Sequence, residues 1–494
     1  MLGATARRTP WFATVNPAAL FIALFASTLV LRLCHVRILW ADEDYHLAAG
    51  LQTLQGKLLY RDIWYDKPPL AAWLYAALGA YPGWPLRLFD ALYVLAICAV
   101  IHRFARDLWG PSEAFRAAVL TAFCLNFDSP PAIIPLTPDL LMVLPHVAAV
   151  YCAWKRRTFM AGLWCGIAFL FHTKGLFVLA ICAFLTSTSL PILLLGFLIP
   201  NAAAFAVLAA GGALPDYFRE VWQWGVAYTN SSPDANPVIG ALRRTADWFG
   251  FHAALVLGTA AFWRRHWSGA DERSLSSNSR PRERTWFAAW LLVCSLGVAL
   301  GGRFFPRYFF LLLPPMALLS ARSLKGKPLM LLTTLLILVP LVRFGPRYVT
   351  FARDLVLHRE HRGSDLLIHR DTQAVLAVLN SHKRPGDTLF VWGYNPSIYV
   401  YTRLTAASRY WDSQPLTGVP ADRHLDKSRY IPSIVPDWAA RNRTELIASK
   451  PTFIVDTLSR LNPNLGIDTY PELGAWLASY HRIARTPLSF IYEK

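Results

Sequence analysis

The chain has 494 residues, 54% of them hydrophobic and only 16% charged, whereas a soluble domain carries about 25% charged residues. This balance excludes an ordinary water-soluble enzyme and indicates a polytopic membrane protein. The net charge of +18 does not indicate nucleic acid, because the Lys and Arg residues sit in short clusters between apolar runs rather than in one stripe.

A membrane-crossing helix needs about 20 mostly apolar residues. Apolar runs centred on 11–31, 86–102, 116–131, 139–154, 158–173, 175–190, 191–213, 247–263, 285–302, 307–321 and 328–343 give about eleven spans. Arg7 and Arg8 precede the first run, which lacks a persuasive cleavage site and reads as a retained helix rather than a signal peptide. Every second connection is basic, as at Arg103 and Arg106, at Lys155, Arg156 and Arg157, and at Arg322, Lys325 and Lys327. Short basic loops stay in the cytoplasm, so the N-terminus is expected inside and residues 344–494 outside. The polar stretch Ser268 to Arg284 reads as a flexible cytoplasmic loop. The seven cysteines lie in or beside apolar runs and suggest neither a disulfide framework nor a zinc site.

After the first span comes Asp42-Glu43-Asp44-Tyr45-His46. Acids are expensive beside hydrocarbon, so this cluster is a functional-site candidate. Asp42 and His46 share one face of a helix, and a carboxylate against apolar walls suits a general base for a hydroxyl. The bland alternative is equally open on the residues alone: three acids cap the helix Tyr45 to Gln55. Tyr65-Asp66-Lys67-Pro68-Pro69-Leu70 follows, opening a run to Gly79 that is too short to cross. That run reads as an interfacial helix whose Trp73 and Tyr75 sit at headgroup depth.

Asp139 stands at the outer entrance of the fourth span, after Pro138. It reads either as a helix cap or as a contact to a sugar hydroxyl, an amine or a metal. His146, deeper in the same span, reads as packed or bonded to a neighbouring helix. Lys67, Lys174, Arg303 and Arg307 are cations on the outward side, against the topology rule. Each is explained by snorkelling, or together they would hold an anionic headgroup such as a lipid phosphate. No Gly-rich phosphate loop, nucleophile elbow or Cys/His metal set occurs, which argues against a nucleotide-sugar donor. Beyond residue 344, the periodicity predicts a helix over Arg370 to His382 and strands at Thr388–Trp392 and Phe453–Asp456. The expected architecture is therefore an α-helical membrane domain over 1–345 and a soluble α/β domain over 346–494.

In order along the chain, Asp42-Glu43, Gly56, Tyr60, Asp62, Lys67-Pro68-Pro69-Leu70, Pro138-Asp139, Thr173-Lys174-Gly175, Arg307-Tyr308 and Pro314-Pro315 resemble bacterial GT-C glycosyltransferases. The chain is similar there to the protein mannosyltransferase and aminoarabinose transferase families. The resemblance covers about residues 10–345, and the tail motif Phe390-Val391-Trp392-Gly393 looks like the outer domain of related members. It implies a polyprenyl-phosphate-sugar donor, inversion at the anomeric carbon, and a glycan, lipid or protein acceptor on the outer face of the cytoplasmic membrane. Asp42 would be the base and Glu43 its orienting partner or an acceptor contact. Lys67, Lys174, Arg303 and Arg307 would neutralise the departing phosphate, and Asp139, Tyr60, Asp66 and His172 would contact substrate. Trp64, Tyr65 and Trp73 would wall the sugar.

Aminoarabinose transferases usually carry Glu before Lys-Pro-Pro, where Asp66 stands here, so sugar identity stays open, as does a divalent metal. The competing readings are a transporter or flippase of lipid-linked glycans and a polymer ligase of the same fold. A transporter places its charges near the midplane and shows repeated halves. Here the charges gather at one face and no repeat is visible.

Overall fold

The computed structural model describes residues 16–128, 135–231, 234, 236–267, 280–324, 327–363, 366–427 and 430–494. Arg7, Arg8, the start of the first apolar run, Lys325 and most of the Ser268 to Arg284 stretch lie outside the described residues.

Helix α1 (Pro17–Leu33) begins where the Asn16 side chain accepts the Ala18 N–H at 2.9 Å and Pro17 presets the first turn. Two short helices follow, α2 (Glu43–Leu54) and α3 (Leu70–Ala77). They approach closely at Gly50, where a Cβ would lie 2.8 Å from the Ala76 nitrogen. At eight residues α3 is too short to cross a bilayer, in keeping with the sequence reading. Then come α4 (Trp84–Trp109), α5 (Pro111–Cys124), α6 (Pro138–Trp154), α7 (Thr158–Phe171), α8 (Gly175–Leu185) and α9 (Leu190–Ala210). Helices Pro237–Phe251, Ala253–Trp267, Arg280–Ala299, Leu313–Ser323 and Lys327–Val356 complete the bundle.

Each of the eleven apolar runs overlaps a helix. By length and composition Trp84–Trp109, Ser187–Ala210 and Pro328–Val356 are long and apolar enough to cross a membrane, and Pro17–Leu33, Pro138–Trp154, Thr158–Phe171 and Gly175–Leu185 are shorter apolar helices. Burial favours pairing of charges inside the bundle: Arg32 on α1 meets Asp90 on α4 at 2.7 Å with both side chains fully enclosed. His146 accepts the Trp290 indole N–H at 2.9 Å, joining α6 to helix Arg280–Ala299.

The sequence reading gives no element between residues 214 and 229, where the structure has a helical segment with a π turn at Phe218–Gln223. The long helix Lys327–Val356 runs past the division expected at 345, with Pro340 and Pro346 inside it. The α/β part then opens with helix Leu367–His382.

Its five-stranded sheet has the order β2-β1-β3-β5-β4. Strand β1 (Thr388–Trp392) is parallel to β2 (Thr405–Ala406) and to β3 (Phe453–Asp456), in register Leu389 to Phe453 and Trp392 to Asp456. Strands β4 (His481–Arg485) and β5 (Phe490–Glu493) extend it antiparallel. β1 and β3 coincide with the two expected strands and are almost wholly buried.

This domain is bonded to the bundle at many points. Gln52 of α2 donates to Leu404 O at 3.1 Å and accepts from Ala406 N at 2.8 Å, satisfying the free edge of β2. The Trp411 indole donates to Trp64 O at 2.7 Å, and Trp64 N to Arg409 O at 2.9 Å. Arg409 also pairs with the buried Glu220.

Candidate active site

The site is built where α2, the loop before α3, the start of α6, the α7–α8 connection and the turn Pro306–Leu311 meet. Asp42 occupies the N-cap position of α2 with φ at +71°, and its side chain makes no capping hydrogen bond. A left-handed conformation costs a non-glycine residue roughly 1–2 kcal/mol, less for Asp than for most. The carboxylate freed from capping forms an ion pair with Arg307, both side chains about one-third exposed. Its Oδ1 also accepts from the Tyr394 hydroxyl at 3.4 Å. Burial alone would raise the proton affinity of Asp42, but Arg307, His46 and Lys67 outweigh it and hold the carboxyl below its usual range.

Glu43 is directed elsewhere. Its carboxylate is fully buried, takes a bidentate pair from Arg87 at 2.8 and 2.9 Å, and accepts Leu136 N–H at 3.2 Å. Successive helical side chains diverge by about 100°, so one acid of the pair faces the site and the other faces α4. Asp44 accepts from Ser397 Oγ at 2.7 Å, and burial pushes it up to about 7 against the lowering effect of that bond.

Lys67 reaches Asp66 at 2.8 Å and is about one-third exposed. Tyr60 is buried beneath it and donates to the Lys67 carbonyl at 2.7 Å, so it orients the loop. Asp139, on the first turn of α6, stands 3.7 Å from His172 Nε2, and Lys174, Arg307 and Lys67 also act on its charge. His172 Nδ1 accepts the Lys174 N–H at 3.1 Å, which leaves the ring proton on Nε2 facing Asp139.

Lys174 is the most unusual group. It is buried, its Nζ has no hydrogen-bond partner, and it lies 2.9 Å from the Tyr308 ring centroid. Burial lowers its pKa to about 7, with Asp139 opposing and Lys67 adding to the shift.

Arg303 belongs to a different contact. It is buried, pairs with Asp422 of the α/β domain, and donates to Tyr228 O at 3.0 Å and Ser231 O at 2.8 Å. Trp64 and Tyr65 are also enclosed: Trp64 meets Trp224 edge-on, and Tyr65 stacks on Tyr45 and bonds His46 at 2.6 Å. The structure thus gathers Asp42, Lys67, Asp139, His172, Lys174 and Arg307, with Asp66 alongside, and leaves Glu43 and Arg303 outside. Among the described residues no three His, Cys, Asp or Glu side chains form a metal-holding group. Tyr394 was not singled out by sequence, although Gly393 before it marks a sharp turn.

The family model described as dolichyl-phosphate-mannose-protein mannosyltransferase matches residues 66–210, which include Lys67, Asp139, His172 and Lys174. No curated protein matches the chain. Among solved structures it is similar to ArnT from Cupriavidus metallidurans bound to undecaprenyl phosphate, at 15% identity over 96% of this chain and 97% of that one, with a TM-score of 0.58. The apo form of the same protein aligns at 14% identity over the same shares, with a TM-score of 0.59. The fold is therefore ArnT-like, with a small C-terminal sheet domain.

Proposed function

We propose that this chain is a membrane glycosyltransferase that moves a sugar from a polyprenyl-phosphate donor to a hydroxyl of a cell-envelope acceptor, with inversion. The observation that carries the reading is a cluster of two carboxylates and three cations, delivered by separate segments to one end of the bundle: Asp42 faces Arg307 and Lys67, and Asp139 faces Lys174, Arg307 and Lys67. The fold shared with a protein solved with undecaprenyl phosphate adds support. The alternating basic loops favour the outer face of the cytoplasmic membrane for this end.

Asp42 takes the proton of the acceptor hydroxyl as its oxygen bonds to the anomeric carbon. The bond from that carbon to the phosphate oxygen breaks, and the lipid phosphate leaves with a second negative charge. Lys174 has no hydrogen-bond acceptor at rest, so a phosphate supplies the acceptor its ammonium lacks and favours its charged form. Arg307 is shared between Asp42 and the arriving anion, so donor binding weakens its hold on Asp42 and makes the base stronger. Preorganised cations contribute most where charge develops in a site shielded from water.

Purified protein given a labelled synthetic polyprenyl-monophosphate sugar tests this directly. Transfer is expected, with Asp42→Asn at least about 100-fold slower and donor binding kept. Full activity in Asp42→Asn removes the base assignment, and transfer only from a pyrophosphate-linked polymer favours the ligase reading.

A further inference from the structure

The α/β domain reaches the base. Strand β1 ends at Trp392, and the chain turns at Gly393, whose φ of +122° and contact with Thr457 exclude a side chain. This turn sends Tyr394 toward α2, from the carboxyl end of a parallel strand, where open α/β sheets place functional groups. The Tyr394 ring stacks on Tyr45 at 5.6 Å, 24° from parallel, and Tyr45 also stacks on Trp411 at 4.9 Å. Asn395 donates to Thr372 at 2.9 Å and Ser397 donates to Asp44 at 2.7 Å, fixing the loop on both sides. The hydroxyl of Tyr394 then donates to Asp42 Oδ1 at 3.4 Å.

We propose that Tyr394 is a positioning residue for the base, so that the α/β domain completes the catalytic centre rather than merely adjoining it. This deepens the glycosyltransferase reading and rests on it for the role of Asp42. Asp42 has two oxygens to orient: Arg307 holds Oδ2 from the bundle, and Tyr394 holds Oδ1 from the sheet domain. The other groups facing Asp42 are His46 and Asp44 from α2 and Lys67 from the loop before α3. Tyr394 itself also faces Asp44, Asp66 and Asp412. None of these donates a hydrogen bond to Oδ1, so the orientation of that oxygen depends on Tyr394. A hydroxyl donor to a carboxylate favours the ionised form, and its loss makes Asp42 easier to protonate.

The test reads Asp42 without requiring turnover. The protein is treated with a water-soluble carbodiimide and an amine at pH 5.5, where labelling follows the protonated fraction, and Asp42 is quantified by peptide mass spectrometry against the surface carboxylate Asp62. Tyr394→Phe keeps the ring stack and removes only the hydroxyl. It is expected to raise Asp42 labelling roughly threefold to tenfold, the range for losing an ordinary hydrogen bond, as suits a contact of 3.4 Å, and to leave the buried Glu43 unlabelled. Where transfer is measurable, kcat should fall about tenfold with the donor KM unchanged, and the acid limb of the pH profile should move up.

Unchanged Asp42 labelling overturns the proposal. So does an equal rise in Ser397→Ala, which loosens the same loop while keeping the Tyr394 hydroxyl. If wild-type protein transfers no sugar, the glycosyltransferase reading fails, yet the labelling comparison still decides whether Tyr394 governs Asp42.

Discussion

The Lys174 ammonium rests 2.9 Å from the centre of the Tyr308 ring and has no hydrogen-bond acceptor. A cation over an aromatic face recovers some of the cost of desolvation. The shift of its pKa to about 7 shows that the recovery is incomplete.

This makes Lys174 a residue retained at the expense of stability. In the unfolded chain it titrates near 10.5, in the folded protein near 7. The folded state binds fewer protons across that interval, so its stability falls as pH drops from about 10 to 7 and is level below. Lys174→Met should therefore melt a few degrees higher at pH 7, with the advantage vanishing towards pH 10. The same variant should bind a polyprenyl phosphate roughly 10- to 100-fold more weakly. Thermal unfolding in detergent across pH and a binding titration check both halves.

Arg307→Ala acts on the base itself. Arg307 is the main charge opposing the burial of Asp42, so its removal should raise the Asp42 pKa. The acid limb of kcat/KM against pH should shift upward, and activity at pH 7 should fall about 100-fold as a phosphate contact is lost too. An unmoved acid limb would show that the ion pair does not control Asp42.

Glu43→Gln should behave as a structural lesion. It takes from the buried Arg87 its directly paired carboxylate and leaves only Asp90, already paired with Arg32, to oppose its charge; breaking such a buried pair costs about 3–5 kcal/mol. Thermal denaturation should record that loss, while kcat per folded molecule stays within about threefold of wild type, since its carboxylate touches Arg87 and Leu136 N–H rather than the site.

Gly50→Val should force α2 away from α3, because a Cβ there already meets Ala72, Tyr75 and Ala76 at 2.8–2.9 Å. Overpacking of this kind costs about 1–3 kcal/mol. The expected signature is lowered activity with little change in the melting of the α/β domain, followed by hydrogen exchange in α2 and in β1.

The local parts of this molecule are legible in its sequence, and the joints are not. Apolar runs locate the helices, and Thr388–Trp392 and Phe453–Asp456 announce themselves as strands because both are buried runs flanked by turn residues. His481–Arg485 conceals itself, being an exposed basic edge strand that pairs only with β5. The acid after the first span and the Lys-Pro-Pro element are contiguous signals. By contrast Lys67, Lys174, Arg303 and Arg307 look alike as outward cations, and only the fold separates Arg303, which turns to Asp422, from Arg307, which turns to Asp42. Asp42 and Glu43 are neighbours in sequence and divided in space by the geometry of a helical turn. Tyr394 stands so far along the chain from Asp42 that no spacing rule connects them.

Gln52 offers its amide to the sheet as a strand would, one donor and one acceptor on the edge of β2. From Asp42 to Gln52 helix α2 rises about 15 Å. The helix is in this sense a ruler, zeroed on the last rung of a β-sheet and carrying the carboxylate at its far mark. Any slide of the sheet along that rung moves the base by the same distance. One residue inserted between the two marks would turn Asp42 about 100° away from Arg307 while leaving the sheet edge closed.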